Sequence, residues 1–166
     1  IGSTDSATTA AALPTVRAKG LMLFSPSDGG TTLLPPSTLP DDNSLFFTTK
    51  PLDRLQAEAL ARSTQQDGAA KVALVREVGG VGAELATSLG VLIGFADGRS
   101  FADAPADTAA AAVNAAVVAA PDAVIITGTD SFQVAAIRGT RTALPTAKIY
   151  VADISVGLAR AWADNP

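Results

Sequence analysis

The chain has no cysteine and no histidine. Thiol nucleophiles, histidine-based triads and metal centres built on either residue are therefore excluded within its 166 residues. The redox compartment stays open, because no disulfide is needed on either side of a membrane. Aromatic residues are scarce at 5%, with a single Trp and a single Tyr. Lys and Arg number only 12 against 16 Asp and Glu, and they are scattered singly. A net charge of −4 in that pattern offers no footprint for nucleic acid or anionic lipid. Long hydrophobic runs are missing too. The longest, residues 109–120, is interrupted by Asn114 and stopped by Pro121-Asp122, too short and too alanine-rich to span a bilayer. There is no initiator Met and no basic signal-peptide start, which leads us to expect a processed or excised product.

What remains is the composition of a globular protein, 48% hydrophobic and 17% charged, long enough for one domain with a real core or for one and a part. The organising stretch is Pro121-Asp122-Ala123-Val124-Ile125-Ile126-Thr127-Gly128. Its apolar residues are consecutive rather than alternating, so both faces of this strand should be covered, as in a parallel sheet flanked by helices. Lys71-Val72-Ala73-Leu74-Val75 upstream and Lys148-Ile149-Tyr150-Val151-Ala152-Asp153 downstream read the same way. Each pair is separated by room for a helix, so the expected class is α/β, a parallel sheet sandwiched by helices.

In chain order, Ile1-Gly2 reads as the tail of a strand and residues 3–9 as an N-cap-rich entry into a helix that Pro14 cuts or kinks and Gly20 ends. Leu21-Met22-Leu23-Phe24 reads as a short buried strand, and residues 25–32 as a turn of small residues with exposed amides. Residues 33–44 have loop composition, and the pair Asp41-Asp42 within them reads as a solvated turn rather than acid/base machinery. Leu45-Phe46-Phe47-Thr48-Thr49 is a short strand or crossover, and Asp53 caps a helix over 54–66 that Gly68 closes. After the strand at 71–75, Gly79-Gly80-Val81-Gly82 leads into a helix over 83–89. Val91-Leu92-Ile93-Gly94-Phe95 is expected as a strand and residues 96–106 as a loop. Asp107 or Thr108 caps a helix running to Ala120, a further helix covers 131–142, and residues 154–166 look like loop with one helical turn.

The ordered series resembles a known family. Ser6-Ala7-Thr8-Thr9 opens a helix, then come Gly-Leu-Met-Leu-Phe-Ser-Pro-Ser from Gly20 and Leu-Phe-Phe-Thr-Thr-Lys-Pro-Leu-Asp-Arg-Leu-Gln-Ala from Leu45. Lys-Val-Ala-Leu-Val, the glycine-rich turn, Pro-Asp-Ala-Val-Ile-Ile-Thr-Gly and Ala-Lys-Ile-Tyr-Val-Ala-Asp follow. Together they are similar to the type I periplasmic binding proteins, in particular the branched-chain amino-acid substrate-binding proteins of ABC transporters. That resemblance implies Rossmann-like lobes closing on a ligand. Residues 1–48 would be part of a first lobe and 49–166 most of a second, so an incomplete two-lobe protein is expected. It also implies an extracytoplasmic, non-enzymatic protein without a cofactor, lipid-anchored when full length, whose partners are a small-molecule ligand and an ABC transporter permease.

By the same resemblance, the ligand's anionic group would meet Ser6, Thr8 and Thr9 at a helix start, and Ser27 and Gly29 in the turn after the first strand. Physically, such a site needs backbone N–H groups with a hydroxyl beside them. The second lobe would contribute Val81, Thr129, Asp130 and, for an ammonium, Asp153. Val81 replaces an aromatic of the family pattern, and Thr129 and Asp130 stand where tyrosines are common, which points to a small polar ligand other than a standard branched-chain amino acid. Two other readings compete. One is a ligand-sensing receptor or regulator domain of the same fold, which a transmembrane helix and signalling domain would mark, as a lipobox Cys would mark transport. The other is a nucleotide-dependent enzyme using Gly79-Gly80-Val81-Gly82 with Asp97 or Asp103 as the ribose acid, a pattern that fails at Leu85, where a third glycine is required.

Overall fold

In the computed structural model, which describes residues 6–26, 28–30, 33, 45–79, 82–152 and 158, the chain divides into two compact units, Ile1–Gln56 and Ala57–Pro166. The first holds α1 (Ser6–Ala18), β1 (Leu23–Ser25), β2 (Phe46–Thr48) and the beginning of α2 (Asp53–Gln66). β1 and β2 pair in parallel, Leu23 opposite Phe46 and Ser25 opposite Thr48. Leu13 of α1 packs with Leu23, Leu33 and Phe46 to form this unit's small core.

Three expectations for this unit change. α1 runs through Pro14 rather than being cut by it. The first strand is Leu23–Ser25, and Leu21, Met22 and Phe24 are exposed, so it is buried on one face only. Asp53 is the first residue of α2 itself, where its carboxylate meets Lys50 Nζ at 3.3 Å and suits the positive end of the helix. Asp41 and Asp42 lie outside the described residues.

The second unit contains β3 (Lys71–Glu77), α3 (Ala83–Leu89), a π-helix (Gly90–Ala96), β4 (Ser100–Ala106), α4 (Ala109–Val117), β5 (Ala123–Thr127), α5 (Asp130–Ala143) and β6 (Lys148–Val151). Its four strands are all parallel, in the order β4-β3-β5-β6. Every residue of β5 is buried. Strand alternation sends Val72, Leu74, Ala123 and Ile125 to one face, under Ala57 and Ala61 of α2, Leu85 and Leu89 of α3, and Ile93. Ala73, Val75, Val124 and Ile126 face the other way, under Ala112, Val113 and Ala116 of α4 and Phe132, Ala136 and Ile137 of α5. Ile125 and Ile126, on opposite faces, have no exposed surface, and each contributes about 1.5–3 kcal/mol of apolar burial. α/β architecture with a parallel sheet flanked by helices is thus as the sequence reads.

The expectation at 91–106 is overturned. Residues 91–95 are not a strand but part of the π-helix, which continues directly from α3 because Gly90 keeps right-handed helical angles (φ −58°, ψ −41°). Its burial is helical: Ile93 points inward with Leu89, while Val91 and Phe95 are exposed. The fourth strand is instead 100–106, which Pro105 and Asp103 disguise as loop. Ser100 N–H donates to Ala70 O at 3.0 Å and Ala106 O accepts from Val78 N–H at 3.1 Å, so the even-numbered residues of β4 face β3. Pro105 therefore falls on the outer edge, where its missing N–H breaks no ladder bond and discourages strand addition. α4 also stops short of Ala120. It ends at Val117 under a Thr108 N-cap (Oγ1 to Ala111 N, 3.3 Å), and Ala120 turns to φ 45° before Pro121. The turn proposed near Leu158 to Trp162 lies, apart from Leu158, outside the described residues.

Polar clips tie the N-terminal ends of the strands together. Asp122 Oδ2 accepts the N–H groups of Ala70 and Lys71, each at 3.0 Å. Arg99 donates to Ala61 O, Ala69 O and Thr64 Oγ1 at 3.0–3.2 Å and to Asp97 Oδ2 at 2.8 Å. Lys148 Nζ and the Tyr150 hydroxyl both reach Asp67 in the turn after α2. Burial and then the Asp67 carboxylate push the Tyr150 phenol from 10.0 up to about 12. The hydrogen bonds from Tyr150 and then Lys148 hold Asp67 below its ordinary 3.8.

A raised phenol pKa means that the folded state holds the proton more tightly than the unfolded chain. Its stabilising contribution is complete below pH 10.0 and disappears as pH climbs towards about 12. Asp67's contribution is present above 3.8 and is lost as pH falls through the lowered value. Tyr150 is the only tyrosine, so phenolate absorbance reads its titration directly. Wild-type urea midpoints should fall more steeply through that alkaline window than those of Tyr150→Phe. Parallel curves would mean that the phenol is not coupled to folding.

Candidate functional site

The strand order reverses direction between β3 and β5, since the chain steps outward from β3 to β4 on one side and then to β5 and β6 on the other. Open parallel sheets form a crevice at the C-terminal ends of the strands flanking such a reversal, and ligands bind there. In this chain the crevice is bounded by the end of β3 (Arg76, Glu77), the glycine turn before α3, and the turn Gly128-Thr129 leading into α5.

The two turns pack so closely that only glycine fits. At Gly82 (φ 136°) a Cβ would lie 2.7 Å from Thr127 Cγ2. At Gly128 (φ 148°) a Cβ would lie 2.9 Å from Phe132 Cδ1 and 3.0 Å from Glu77 Cβ. Both turns are therefore closely packed at the end of the sheet, and Gly128 is buried. Gln133, almost wholly buried, braces the second turn by donating from Nε2 to Gly128 O at 2.6 Å.

Charge here is acidic. Thr129 is the N-cap of α5 but its side chain makes no capping bond. Glu77, fifty-two residues away, does that work: its Oε2 accepts the Thr129 N–H at 2.8 Å. A carboxylate thus already occupies the positive end of α5, and Asp130 adds a second in the first helical turn. The neighbouring cation is spent, because Arg76 makes a two-pronged pair with Asp103 (Nε–Oδ1 and Nη2–Oδ2, both 2.9 Å). The crevice suits a ligand's cationic, hydrogen-bond-donating group. Among the described residues, no group of three or more acids could hold a metal ion.

The sequence-predicted residues distribute as follows. Thr129 and Asp130 stand in this crevice, whereas Val81, Ser27 and Asp153 lie outside the described residues. In the first unit, Ser6 opens α1 and Thr8 is exposed. Thr9 is wholly buried, and among the described residues its hydroxyl has no hydrogen-bond partner. Gly29 is buried against the approach to α2: its carbonyl accepts the Asp53 N–H at 2.8 Å, and a Cβ would lie 2.6 Å from Pro51 O. The same turn contains a buried acid, Asp28, whose N–H donates to Ser25 Oγ at 3.1 Å and whose Oδ1 accepts the Gly30 N–H at 3.2 Å.

Sequence reasoning missed Glu77, Asp28 and Gln133. The one local signal for Glu77 is a charged residue closing an apolar strand just before a glycine-rich turn. Glu77→Ala should cost about 1–2 kcal/mol in denaturant unfolding, because the Thr129 N–H and the helix end lose their acceptor. Glu77→Gln keeps an acceptor oxygen and should cost only about 0.3–1 kcal/mol. Wild-type stability in Glu77→Ala would show that the carboxylate contributes nothing as a cap. No protein-family model matches the chain, and no curated protein matches it.

Proposed function

We propose that the chain is part of an extracytoplasmic solute-binding protein of the type I periplasmic-binding-protein class, which captures a small, polar, amino-acid-like ligand for an ABC transporter permease. The observation that carries this reading is the crevice at the β3–β5 reversal, which has tightly packed glycine turns and a fixed negative charge from Glu77 and Asp130. A zwitterion's ammonium finds charge-assisted acceptors there.

The nucleotide-enzyme reading has less support. Leu85, where the third glycine is needed, is buried in the core, and the two candidate ribose acids are engaged, Asp97 by Arg99 and Asp103 by Arg76.

Asp130→Asn is the test. It removes one carboxylate charge from the start of α5 at nearly constant shape. Affinity for the best of the proteinogenic L-amino acids, measured by calorimetry, should drop by about 1–3 kcal/mol. Binding of NAD or ATP in preference to every amino acid would overturn the proposal, and so would full amino-acid affinity in Asp130→Asn.

A further inference from the structure

The second unit has a groove well away from the crevice. It lies between α2 and the π-helix and has a volume of about 260 Å³. Ala61, Leu92 and Ala96 form its apolar part, with Glu58, Arg62 and Gln65 of α2 and the Arg99-paired Asp97 completing the lining. Bonds from residue i to i+5 give a π-helix between four and five residues per turn, so neighbouring side chains stand roughly a quarter-turn apart. Leu92 and Ala96 therefore line the groove, and Val91 and Phe95 form a ridge beside it. That ridge is bare: Phe95 is 89% exposed and Val91 55%. The reason lies on the opposite side of the π-helix, where Gly90 and Gly94 sit against Phe101 of β4 and leave the bulky residues facing out.

A projecting aromatic and a groove with an apolar floor thus adjoin on one patch. A two-fold axis between them seats each copy's Phe95 in the other's groove, an arrangement that closes and does not propagate. The rim is self-complementary as well, since Glu58 and Arg62, one turn apart on α2, carry opposite charges. An axis that brings the two α2 helices together antiparallel sets each acid opposite the other copy's guanidinium. We infer that this patch is a homodimer interface, its occupant being a second copy of this chain, with Phe95 as the anchor. A partner of single-sign charge fits it less well, because the rim offers both signs.

Sedimentation equilibrium of the purified protein tests this. The wild type should show a reversible monomer–dimer equilibrium, and Phe95→Glu should weaken it by more than about tenfold, as expected for loss of a central aromatic anchor. Phe95 is so exposed that the variant should keep the wild-type circular dichroism and unfolding midpoint. Val118→Glu is the control for indiscriminate stickiness: Val118, at the C-terminal cap of α4, is 87% exposed, and its replacement should leave the dimer intact. A wild type that stays monomeric at several hundred micromolar overturns the inference. So does a dimer that survives Phe95→Glu, or one that Val118→Glu dissolves equally.

Discussion

Burial of β5 on both faces is the constraint from which the rest of the second unit follows. A strand with no exposed residue needs a neighbour on each edge and a layer above and below. β3 and β6 supply the edges, and helices must supply the layers, because parallel strands are joined by crossovers that deposit helices on the faces. The two hydrophobic clusters are the two sides of this one requirement, divided residue by residue along Val72–Val75 and Ala123–Ile126. Placing β5 at the centre also fixes where the strand order reverses, and so where the crevice opens. Site and core are two consequences of the same burial.

The ends of the sheet are built differently. At the N-terminal end, Asp122, Asp67, Arg99 and Lys148 stitch strand starts to helix ends with side-chain-to-backbone bonds, and the groups involved are largely used up in doing so. At the C-terminal end, glycine turns let the backbone pack against Thr127, Phe132 and Glu77 where a side chain would clash. Both ends are thus held firmly, and a binding turn on a rigid scaffold keeps its groups in place.

Much of this was legible because the signals are local. The apolar runs of β3, β5 and β6, the alanine-rich helix under Thr108 and the glycine that leads into α3 all declare themselves within a few residues. The misreading at 91–106 has a definite cause. Val-Leu-Ile-Gly-Phe is apolar enough for a strand and too short for its period to decide, whereas Pro105 looks like a breaker unless the outer edge is known in advance. Thr129 and Asp130, singled out through the family resemblance, fall at the start of α5 just after β5. Glu77 was not singled out, because its role exists only once a carboxylate meets an amide fifty-two residues away. The Thr9 hydroxyl was chosen as a binding group, but its complete burial could not be read from helix periodicity alone.

The alanine face of α4, which shares one side of the sheet with α5, has a thermal consequence. α4 meets the sheet with Ala109, Ala112 and Ala116, and Val113 is its one larger buried residue. Alanine has no side-chain rotamers to freeze, so this layer orders at little entropic cost. It also hides little apolar surface per residue, and the heat capacity of unfolding scales with the apolar surface exposed. α4 therefore bends the stability curve less than a helix with a leucine or phenylalanine face would in its place, and the curvature comes mainly from bulkier residues such as Leu85, Leu89, Ile93 and Phe132.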